Sequence, residues 1–309
     1  MKILHSISAQ GISWVKSNKE ALGSNSAAIS NLYYPESTDE LVGLIQKLTT
    51  DGEAYELIGH SSNTLFLSSY HVDNLICIRD ISSWHETDSE IICDCGVNVA
   101  NLSKTLIKAG YVGFEGLTDL PGTVAGAVYG NSGCRNCSIN ELVTDIELLT
   151  DEGIKHINVD DLKLSYRSTA LKRKEIKGTI IRVSLRKCKG DSDKLIDIAN
   201  KNHAHRKKYQ PSGANNLGTT FNGGHCPTIK GRLLRLLEKC IQIITFNKDL
   251  RHSYPLVLKC IGKSSFAPYV YRWNRYMFID ARSHELFPKY VKFVRTLYKD
   301  ARLEIEIRK

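Results

Sequence analysis

The chain has 309 residues, a formal net charge of +9, 42% hydrophobic residues and 24% charged residues. This is the composition of an ordinary globular protein with room for two domains or one large one. No window holds the ~18 apolar residues that a membrane span requires, and the N-terminal residues lack a full signal sequence, so we expect a cytoplasmic protein. The positive charge favours anionic ligands such as nucleotides. Basic residues do not alternate with aromatic ones in a stripe, so nucleic acid is not expected as a partner.

The elements predicted in the first half alternate between helix and strand. A helix begins after Ser37, which can cap it in a capping box with Glu40, and its apolar residues recur at helical spacing from Leu41 to Leu48. A second helix ends at Gly110. The predicted strands are 54–58, 75–78, 91–95, 145–150, 155–159 and 179–186, with a hairpin turn at 151–153.

The second half continues this mixture without a repeat. We predict helices at 193–209, 232–244 and 289–298, a loop at 210–218, and strands at 275–279 and 302–307. Glu304, Glu306 and Arg308 alternate, so a continuous strand would place all three on one face. The order of elements predicts an α+β fold.

The nine cysteines do not form a recognisable disulfide framework. An odd number without a signal sequence indicates reduced thiols. Cys134 and Cys137 have the CxxC spacing of zinc or redox sites. The chain has no second CxxC, so zinc would need distant ligands such as His203, His205 or His225. We therefore expect no metal site.

The segment from Pro121 to Gly133 reads PGTVAGAVYGNSG. Glycine lets the backbone approach a ligand closely, and successive N–H groups in such a loop can form a nest for an anion such as pyrophosphate. The segment matches neither GxGxxG nor a Walker loop. A turn of small residues between strands is the alternative interpretation.

Three further stretches give the segment a context: Leu57–Phe66 (LIGHSSNTLF), 113–117 (GFEGL) and 166–168 (YRS). In this order and spacing they resemble the UDP-N-acetylenolpyruvoylglucosamine reductase family, which carries G-x-G-S-N, then G-L-E…I-P-G-T-x-G-G-A…N-A-G, then Y-R-x-S. The resemblance is specific from about Asn31 to Ser168 and looser to Lys309.

The resemblance implies an architecture. Residues 1–190 would form an FAD-binding unit of the PCMH type, as in vanillyl-alcohol oxidase and para-cresol methylhydroxylase, with two α+β subdomains divided near residue 78. Residues 191–309 would form a smaller α+β substrate-binding domain. The protein would be a monomer or a weak dimer.

The resemblance also implies an activity. NADPH would reduce FAD, and the flavin would pass a hydride to the enolpyruvyl ether of a nucleotide sugar. The product would be UDP-N-acetylmuramate or a related precursor of the cell wall or of a surface polysaccharide. An FAD-linked sugar or alcohol oxidase or dehydrogenase, and a flavin-binding homologue without catalysis, are the alternatives.

Two segments would hold FAD. The first segment is 59–64 and the second is 121–133. The family normally has glycine where Ser61 stands, and serine would still donate its N–H and hydroxyl if its φ were negative. A covalent flavin link through His60 is not expected because its offset differs from that of the linking histidines; a solvent-facing loop residue is the alternative. The implied FAD-binding residues are Gly59, His60, Ser61, Ser62, Asn63, Thr64, Pro121, Gly122, Thr123, Gly126, Ala127, Asn131 and Gly133.

The resemblance assigns catalysis to three residues. Arg167 would bind the substrate carboxylate, Thr219 would donate the proton in place of the family's serine, and Glu306 would match the glutamate of the terminal L-E-P-E-V-R. Tyr166 and Asn222 would contact the substrate. Considered alone, Arg167 could be a surface arginine at a strand end, Thr219 a residue of a tight turn, and Glu306 part of a solvated strand face.

The chain departs from the family most strongly between Pro227 and Asp280. Asn222 replaces the family's lysine, and Gly223-Gly224 replaces asparagine-proline. The segment that normally holds the nucleotide sugar has a different sequence here, so either the substrate differs or the site has degenerated.

Overall fold

The computed structural model describes residues 2–8, 28–66, 71–134, 137–209, 217–246 and 250–308. The predicted loop is described only from residue 217, and the two residues inside the CxxC pair lie outside the described residues. The chain divides into two compact units, the first from 1–7, 29–61 and 72–209 and the second from 8–28, 62–71 and 210–309. The domain limits predicted above, 1–190 and 191–309 with a division near 78, remain predictions.

The elements of the first part of the chain alternate as expected for an α+β fold. They are β1 (Lys2–Ser8), β2 (Ala28–Tyr34), α1 (Thr38–Thr50), β3 (Tyr55–Ile58), β4 (Thr64–Phe66), β5 (His71–Cys77), β6 (Trp84–Glu86), β7 (Glu90–Asp94), α2 (Val99–Lys108) and α3 (Val124–Tyr129).

The later elements confirm the predicted α+β class. They are β8 (Gly133–Cys134), β9 (Cys137–Ser138), β10 (Val143–Thr150), β11 (Gly153–Asn158), β12 (Thr179–Arg186), α4 (Ser192–Tyr209), β13 (Phe221–Asn222), α5 (Ile229–Ile244), α6 (Leu250–Cys260), β14 (Val270–Arg272), β15 (Arg275–Tyr276), α7 (Ala281–Leu297), β16 (Arg302–Leu303) and β17 (Glu306–Arg308).

Helix α1 shows how local sequence places an element. The Ser37 hydroxyl accepts from the Glu40 N–H at 3.2 Å, which confirms the predicted cap. The Glu40 carboxylate accepts from the N–H of Glu36 at 3.0 Å, one residue earlier than in a capping box. The helix buries Leu41, Leu44, Ile45 and Leu48, so the predicted apolar face is correct.

Two sheets form the frame of the first unit. One has the strand order β1-β2-β5-β3, with β3 and β5 parallel, and the other has the order β11-β10-β12-β7-β6. The predicted hairpin is confirmed, because β10 pairs antiparallel with β11 and Thr150 lies opposite Gly153. Aliphatic side chains of both sheets and of α1, α2 and α3 share one core. The parallel β3 ends where the first predicted FAD segment begins.

The second unit has an aromatic core. Phe221, Tyr276, Phe287 and Tyr290 are each almost fully buried, and adjacent rings approach with centroids 5.0–6.1 Å apart. Such edge-on and tilted contacts stabilise aromatic cores beyond simple area burial. The core fixes strand β13, and therefore the short stretch around Thr219 that leads into it.

Several element predictions in this unit need correction. The strand predicted at 275–279 is limited to β15 (Arg275–Tyr276), and α6 was not predicted. The strand predicted at 302–307 is two short strands, since β16 pairs antiparallel with β13 and β17 pairs parallel with β4. The change of partner interrupts pairing at Glu304, which is therefore not on a common strand face with Glu306. The helix predicted at 289–298 begins eight residues earlier, at Ala281, because Asp280 caps it with a capping box.

Candidate cofactor and catalytic site

Gly59 brings the two predicted FAD segments into contact. A Cβ at Gly59 would lie 2.5 Å from Oγ1 of Thr123, so no other residue fits unless Thr123 moves. Thr123 in turn caps α3, where its hydroxyl accepts from the N–H of Gly126 at 3.2 Å. Gly59 and Thr123, which are 64 residues apart in sequence, are therefore packed against each other in the first unit.

His60, in the first segment, is half-buried. Its Nδ1 lies 3.2 Å from Nδ2 of Asn98. Burial lowers the pKa of His60, and a hydrogen bond with the backbone of Gly122 opposes that effect. The interpretation as a solvent-facing loop residue is therefore wrong.

Ser61 departs from the expected geometry. Its φ is +57°, whereas the sequence argument required a negative φ for a serine at this position. The side chain is only 4% exposed, and its hydroxyl finds no hydrogen-bond partner among the described residues. A buried hydroxyl without a partner is costly, and the left-handed conformation adds strain that glycine would avoid.

The rest of the first segment belongs to the second unit. The side-chain amide of Asn63 donates to the carbonyl of Glu304 at 3.0 Å, and its own carbonyl accepts from the N–H of Glu306 at 2.8 Å. Thr64 is the register partner of Glu306 in the β4–β17 pair. Ser62 is half-buried. The structure thus brings predicted FAD residues next to the predicted catalytic glutamate.

The second segment combines a turn, a short helix and a sharp bend. Gly122 has a φ of +117°, which glycine adopts without strain. Pro121 and Gly126 are exposed, while Ala127 is on the buried side of α3. A Cβ at Gly133 would lie 2.0 Å from the carbonyl oxygen of Cys137. Glycine is therefore required at Gly133 by the hairpin of β8 and β9.

Asn131 connects the second segment to the turn that carries the predicted arginine. It has a φ of +46°, and its Nδ2 donates to the carbonyl of Ser165 at 2.8 Å. Its Oδ1 accepts from the hydroxyl of Ser138 and from Nδ2 of Asn140. The Asn131 side chain therefore links two loops of the first unit through hydrogen bonds.

Arg167 is held by the backbone of the second segment. Its Nη1 donates to the carbonyl of Asn131 at 3.1 Å and its Nη2 to that of Gly133 at 2.7 Å. These contacts use two of the five N–H donors of a guanidinium. Arg167 has a φ of +54°, and its guanidinium carbon lies 5.3 Å from the ring centre of Tyr166, which is 67% exposed. The arginine is therefore a turn residue with a fixed head group and not a residue at a strand end.

Thr219 is half-buried and sits beside a firmly anchored neighbour. The backbone N–H of Thr220 donates to the carbonyl of Asn274 at 2.8 Å, and its hydroxyl accepts from the N–H of Tyr276 at 3.0 Å. The carbonyl of Thr220 accepts from the N–H of Glu304 at 3.0 Å. This hydrogen bond connects the residue that follows Thr219 to the loop that precedes Glu306.

Asn222 begins a turn that contains two glycines, and the sequence alone did not explain why glycine is needed at both positions. Its Oδ1 accepts from the N–H of Gly223 at 2.7 Å. A Cβ at Gly223 would lie 2.3 Å from the carbonyl oxygen of Asp300, and one at Gly224 would lie 2.3 Å from the Trp273 ring. Both glycines are thus required by close packing.

Asp300 fixes the same turn and was not among the predicted residues. Its carboxylate accepts from the N–H groups of His225 and Cys226 at 2.8 and 3.1 Å. Partial burial alone would raise the pKa of Asp300, but these hydrogen bonds outweigh it and hold the pKa below its usual range. Only the adjacent glycines signalled a tight turn here.

Glu306 is half-buried at the start of β17. Its Oε2 lies 3.9 Å from Nη2 of Arg308, so the two side chains share one side of the strand as predicted. The pairing of β17 with β4 fixes the backbone of Glu306.

Over the ranges that the structure describes, no group of three or more His, Cys, Asp or Glu side chains is placed to hold a metal ion. The helices in those ranges include none that is long and apolar enough to cross a bilayer. Cys137 donates to the carbonyl of Gly113 at 3.3 Å, so its thiol takes part in local packing.

Residues 29–158 match the sequence pattern of the FAD binding domain family. The UDP-N-acetylenolpyruvoylglucosamine reductase of Caldicellulosiruptor saccharolyticus is 26% identical over 192 residues, which cover 62% of this chain and 62% of that protein. The reductase of the same name from Anoxybacillus flavithermus is 26% identical over 202 residues, covering 65% and 66%. The chain thus aligns with slightly less than two thirds of these relatives.

The crystal structure of the UDP-N-acetylenolpyruvylglucosamine reductase of Thermus caldophilus is similar over the full length of both chains, with a TM-score of 0.70 and 18% identity. This likeness confirms the predicted fold. It extends over the second unit, where the sequence differs most from the family pattern. Together with the match to the FAD binding domain family and the related sequences, it makes this chain similar to UDP-N-acetylenolpyruvoylglucosamine reductases.

Proposed function

We propose that this protein is an FAD-dependent reductase that uses NADPH to reduce the enolpyruvyl ether of a nucleotide sugar. The match to the FAD binding domain family and the similarity to UDP-N-acetylenolpyruvoylglucosamine reductases support this activity. The observation that carries the proposal is the anchoring of Arg167 to two carbonyls of the second segment. These hydrogen bonds hold the arginine that is predicted to bind the substrate carboxylate against the loop that is predicted to bind FAD.

The residues around the two segments fit FAD. The buried hydroxyl of Ser61 lacks a partner among the described residues, so a phosphate oxygen would satisfy it. Gly59–Ser61 and Pro121–Gly133 would supply the surface for the cofactor. Bound FAD supplies two-electron hydride chemistry between NADPH and the substrate.

Arg167 would bind and orient the substrate carboxylate. Addition of hydride to the terminal carbon of the enolpyruvyl double bond places negative charge on that carboxylate as an enolate forms. A planar guanidinium already fixed by two hydrogen bonds stabilises such charge without reorganising. The exposed ring of Tyr166 lies beside this guanidinium and would contact the bound substrate.

Thr219 would protonate the adjacent carbon. Its hydroxyl is the general acid in the proposal, and the anchored backbone of Thr220 would keep it in place. Glu306 would share in this proton transfer, and Asn222 would contact the sugar. The net result is addition of one hydride and one proton across the double bond, with NADPH oxidised to NADP⁺.

The visible spectrum of the purified protein tests the proposal. The protein is reduced anaerobically with NADPH and then mixed with UDP-N-acetylglucosamine enolpyruvate. We expect a yellow protein that loses its flavin absorbance with NADPH and regains it with the enolpyruvyl substrate, in a stoichiometry of one substrate per flavin.

Two other outcomes would contradict it in different ways. Bleaching without recovery would reject this substrate class and favour an FAD-linked oxidase or dehydrogenase, which a panel of sugars and alcohols then identifies by direct bleaching of oxidised protein. A colourless protein that takes up no added FAD would reject the flavoenzyme. The matched control is the reduced protein mixed with UDP-N-acetylglucosamine, which lacks the enolpyruvyl group.

A further inference from the structure

Helix α5 has two apolar faces. One face packs on the body of the second unit through Gly231 and Leu234, which are buried. The other carries the apolar stripe, defined as Ile229, Leu233, Leu236, Ile243 and Ile244, whose side chains are 59–78% exposed. The helical period places these five residues on one side, opposite Leu234.

The apolar stripe is unusual because it is continuous. Single exposed apolar residues are normal on a protein surface, but a contiguous row along four turns of one helix indicates an interaction surface. Phe246, two residues after the end of the helix, is 96% exposed. The packing of the described residues of the second unit therefore does not explain the stripe.

Basic side chains border the stripe. Lys230 flanks it on one side and Arg232 and Lys239 on the other, and all three are exposed. The helix has one carboxylate, Glu238, which is half-buried on the side away from the stripe. Arg235 donates to the carbonyl of Gly224 and so turns toward the body of the unit. The exposed side of α5 is thus apolar in the middle and positive at both edges.

The charge pattern decides between possible occupants. Two copies of α5 packed along their stripes would bring Lys230, Arg232 and Lys239 of one chain close to the same cations of the other, which is unfavourable. A convex row of aliphatic side chains with flanking Lys and Arg is the arrangement that lies in the plane of an anionic membrane interface. The net charge of +9 acts in the same direction.

We propose that the apolar stripe of α5 binds the surface of a membrane that contains anionic lipids, with Ile and Leu side chains in the interface and the flanking cations at the headgroups. The attachment is peripheral and reversible. It is independent of the reductase activity proposed above, because it uses no residue of the candidate site.

Sedimentation with lipid vesicles tests this surface. The full-length protein is mixed with vesicles of phosphatidylcholine and phosphatidylglycerol, and separately with vesicles of phosphatidylcholine alone. We expect binding to the mixed vesicles that weakens with added salt and little binding to the neutral ones. The combined substitutions Leu233→Gln, Leu236→Gln and Ile243→Gln should weaken binding by at least about 100-fold.

Two controls separate the stripe from general effects. Ile154→Gln changes an exposed apolar residue of the first unit and should leave vesicle binding unchanged. Replacing Lys230, Arg232 and Lys239 by Gln should remove most of the preference for anionic vesicles, on the order of 100-fold, whereas Lys174→Gln should not. Circular dichroism and thermal unfolding confirm that each variant is folded.

The same experiment contains the results that would overturn the proposal. These are no sedimentation with anionic vesicles, or equal sedimentation of the wild type and the triple stripe variant. A wild-type dimer that the stripe substitutions dissociate, without vesicle binding, would assign the stripe to a second copy of the chain. Vesicle binding can be observed whether or not the reductase assay succeeds, so failure of one proposal is distinguishable from failure of the other.

Discussion

Ser61 is the residue at which local conformation and sequence disagree most clearly. It combines a φ of +57° with a buried hydroxyl that has no partner among the described residues. Both features are unfavourable for serine and neither applies to glycine. The family pattern with glycine at this position has a physical basis in the backbone of this chain.

Ser61→Gly should therefore stabilise the folded protein. Relief of left-handed strain gains roughly 1–2 kcal/mol, and the extra flexibility of glycine in the unfolded chain costs ~0.5–1 kcal/mol, so we expect a net gain of about 1 kcal/mol in the free energy of unfolding. Denaturation by urea measures it. Ser61→Ala, which keeps the strain and removes only the hydroxyl, is the control. A loss of stability in the glycine variant would contradict this account.

Arg167→Lys tests the fixed guanidinium. Lysine keeps the charge but has a single ammonium group, so it cannot reproduce both carbonyl contacts and still offer a fork to a carboxylate. We expect kcat for the reductase reaction to fall by about 100-fold with a smaller change in KM. FAD content, read from the spectrum, should be unchanged.

Arg186→Lys is the matched control, because this arginine also donates to a backbone carbonyl of the first unit, that of Glu141, but lies outside the turn. It should retain wild-type kcat. A variant at Arg167 that raised KM alone would assign the residue to ground-state binding and not to stabilisation of the developing charge.

His284 contributes to stability in a pH-dependent way. It is packed 5.2 Å from the ring of Phe278, and both of its ring nitrogens lack partners among the described residues. Burial lowers the pKa of His284 to about 4, despite the opposing effect of Asp280. Between that value and the ordinary pKa of about 6.5 the unfolded chain binds a proton that the folded chain does not, so stability falls as the pH falls.

His284→Phe should remove this dependence. Relative to the variant, the wild type should lose on the order of 2 kcal/mol in the free energy of unfolding between about pH 7 and pH 4.5. Urea denaturation at both pH values measures the difference. His85→Phe, at an exposed position, should show no such effect. Parallel curves for the wild type and the His284 variant would refute the argument.

At the scale of elements, the helices follow their local signals closely. The cap at Ser37, the glycine after α2 and the hairpin at 151–153 were all predicted from sequence and occur in the structure. Their signals lie within a few residues, so no long-range information is needed. The exceptions are α7, which begins at the cap of Asp280, and the helices α3 and α6, which were not predicted from the sequence.

Two glycines in helices should respond in opposite ways to the same substitution. A Cβ at Gly231 of α5 would lie 2.2 Å from the carbonyl oxygen of Leu297 at the end of α7, whereas a Cβ at Gly43 of α1 meets no atom within 4 Å. Gly43→Ala should stabilise the protein by about 0.5–1 kcal/mol through helix propensity. Gly231→Ala should destabilise it by more than about 1 kcal/mol, because α5 must move away from α7.

Thermal unfolding of both variants measures the two effects. Equal stabilisation by both substitutions would show that α5 and α7 pack less closely than described. Because each variant adds one methyl group to a helix, the comparison removes the intrinsic difference between glycine and alanine.

At the scale of the whole molecule, the second unit is discontinuous in sequence. Strand β4 lies between two parts of the first unit in the chain but pairs in parallel with the C-terminal β17. Contacts between residues far apart in sequence hold these two strands together, such as the hydrogen bond between Asn63 and Glu304, which are 241 residues apart. Such pairs carry a high cost in loop entropy and depend on the rest of the unit.

Removal of residues 306–309 should expose β4. We expect faster hydrogen exchange of the backbone amides at 64–66, measured by mass spectrometry of peptides from this region. Glu306→Gln, which keeps the backbone of β17, should retain the protection while altering the carboxylate. Unchanged exchange after truncation would show that β4 is stabilised without β17.

The sequence by itself determined the α+β class, the positions of most helices and strands, and the residues that match the reductase family. These depend on periodicity, turn chemistry and motif spacing, which are local. Only the tertiary structure decided that Arg167 is held by Asn131 and Gly133, that Ser61 is strained, and that the last strand divides between β13 and β4. Each of these depends on atoms distant in sequence meeting in space, where hydrogen-bond geometry and steric exclusion select one arrangement that no local pattern encodes.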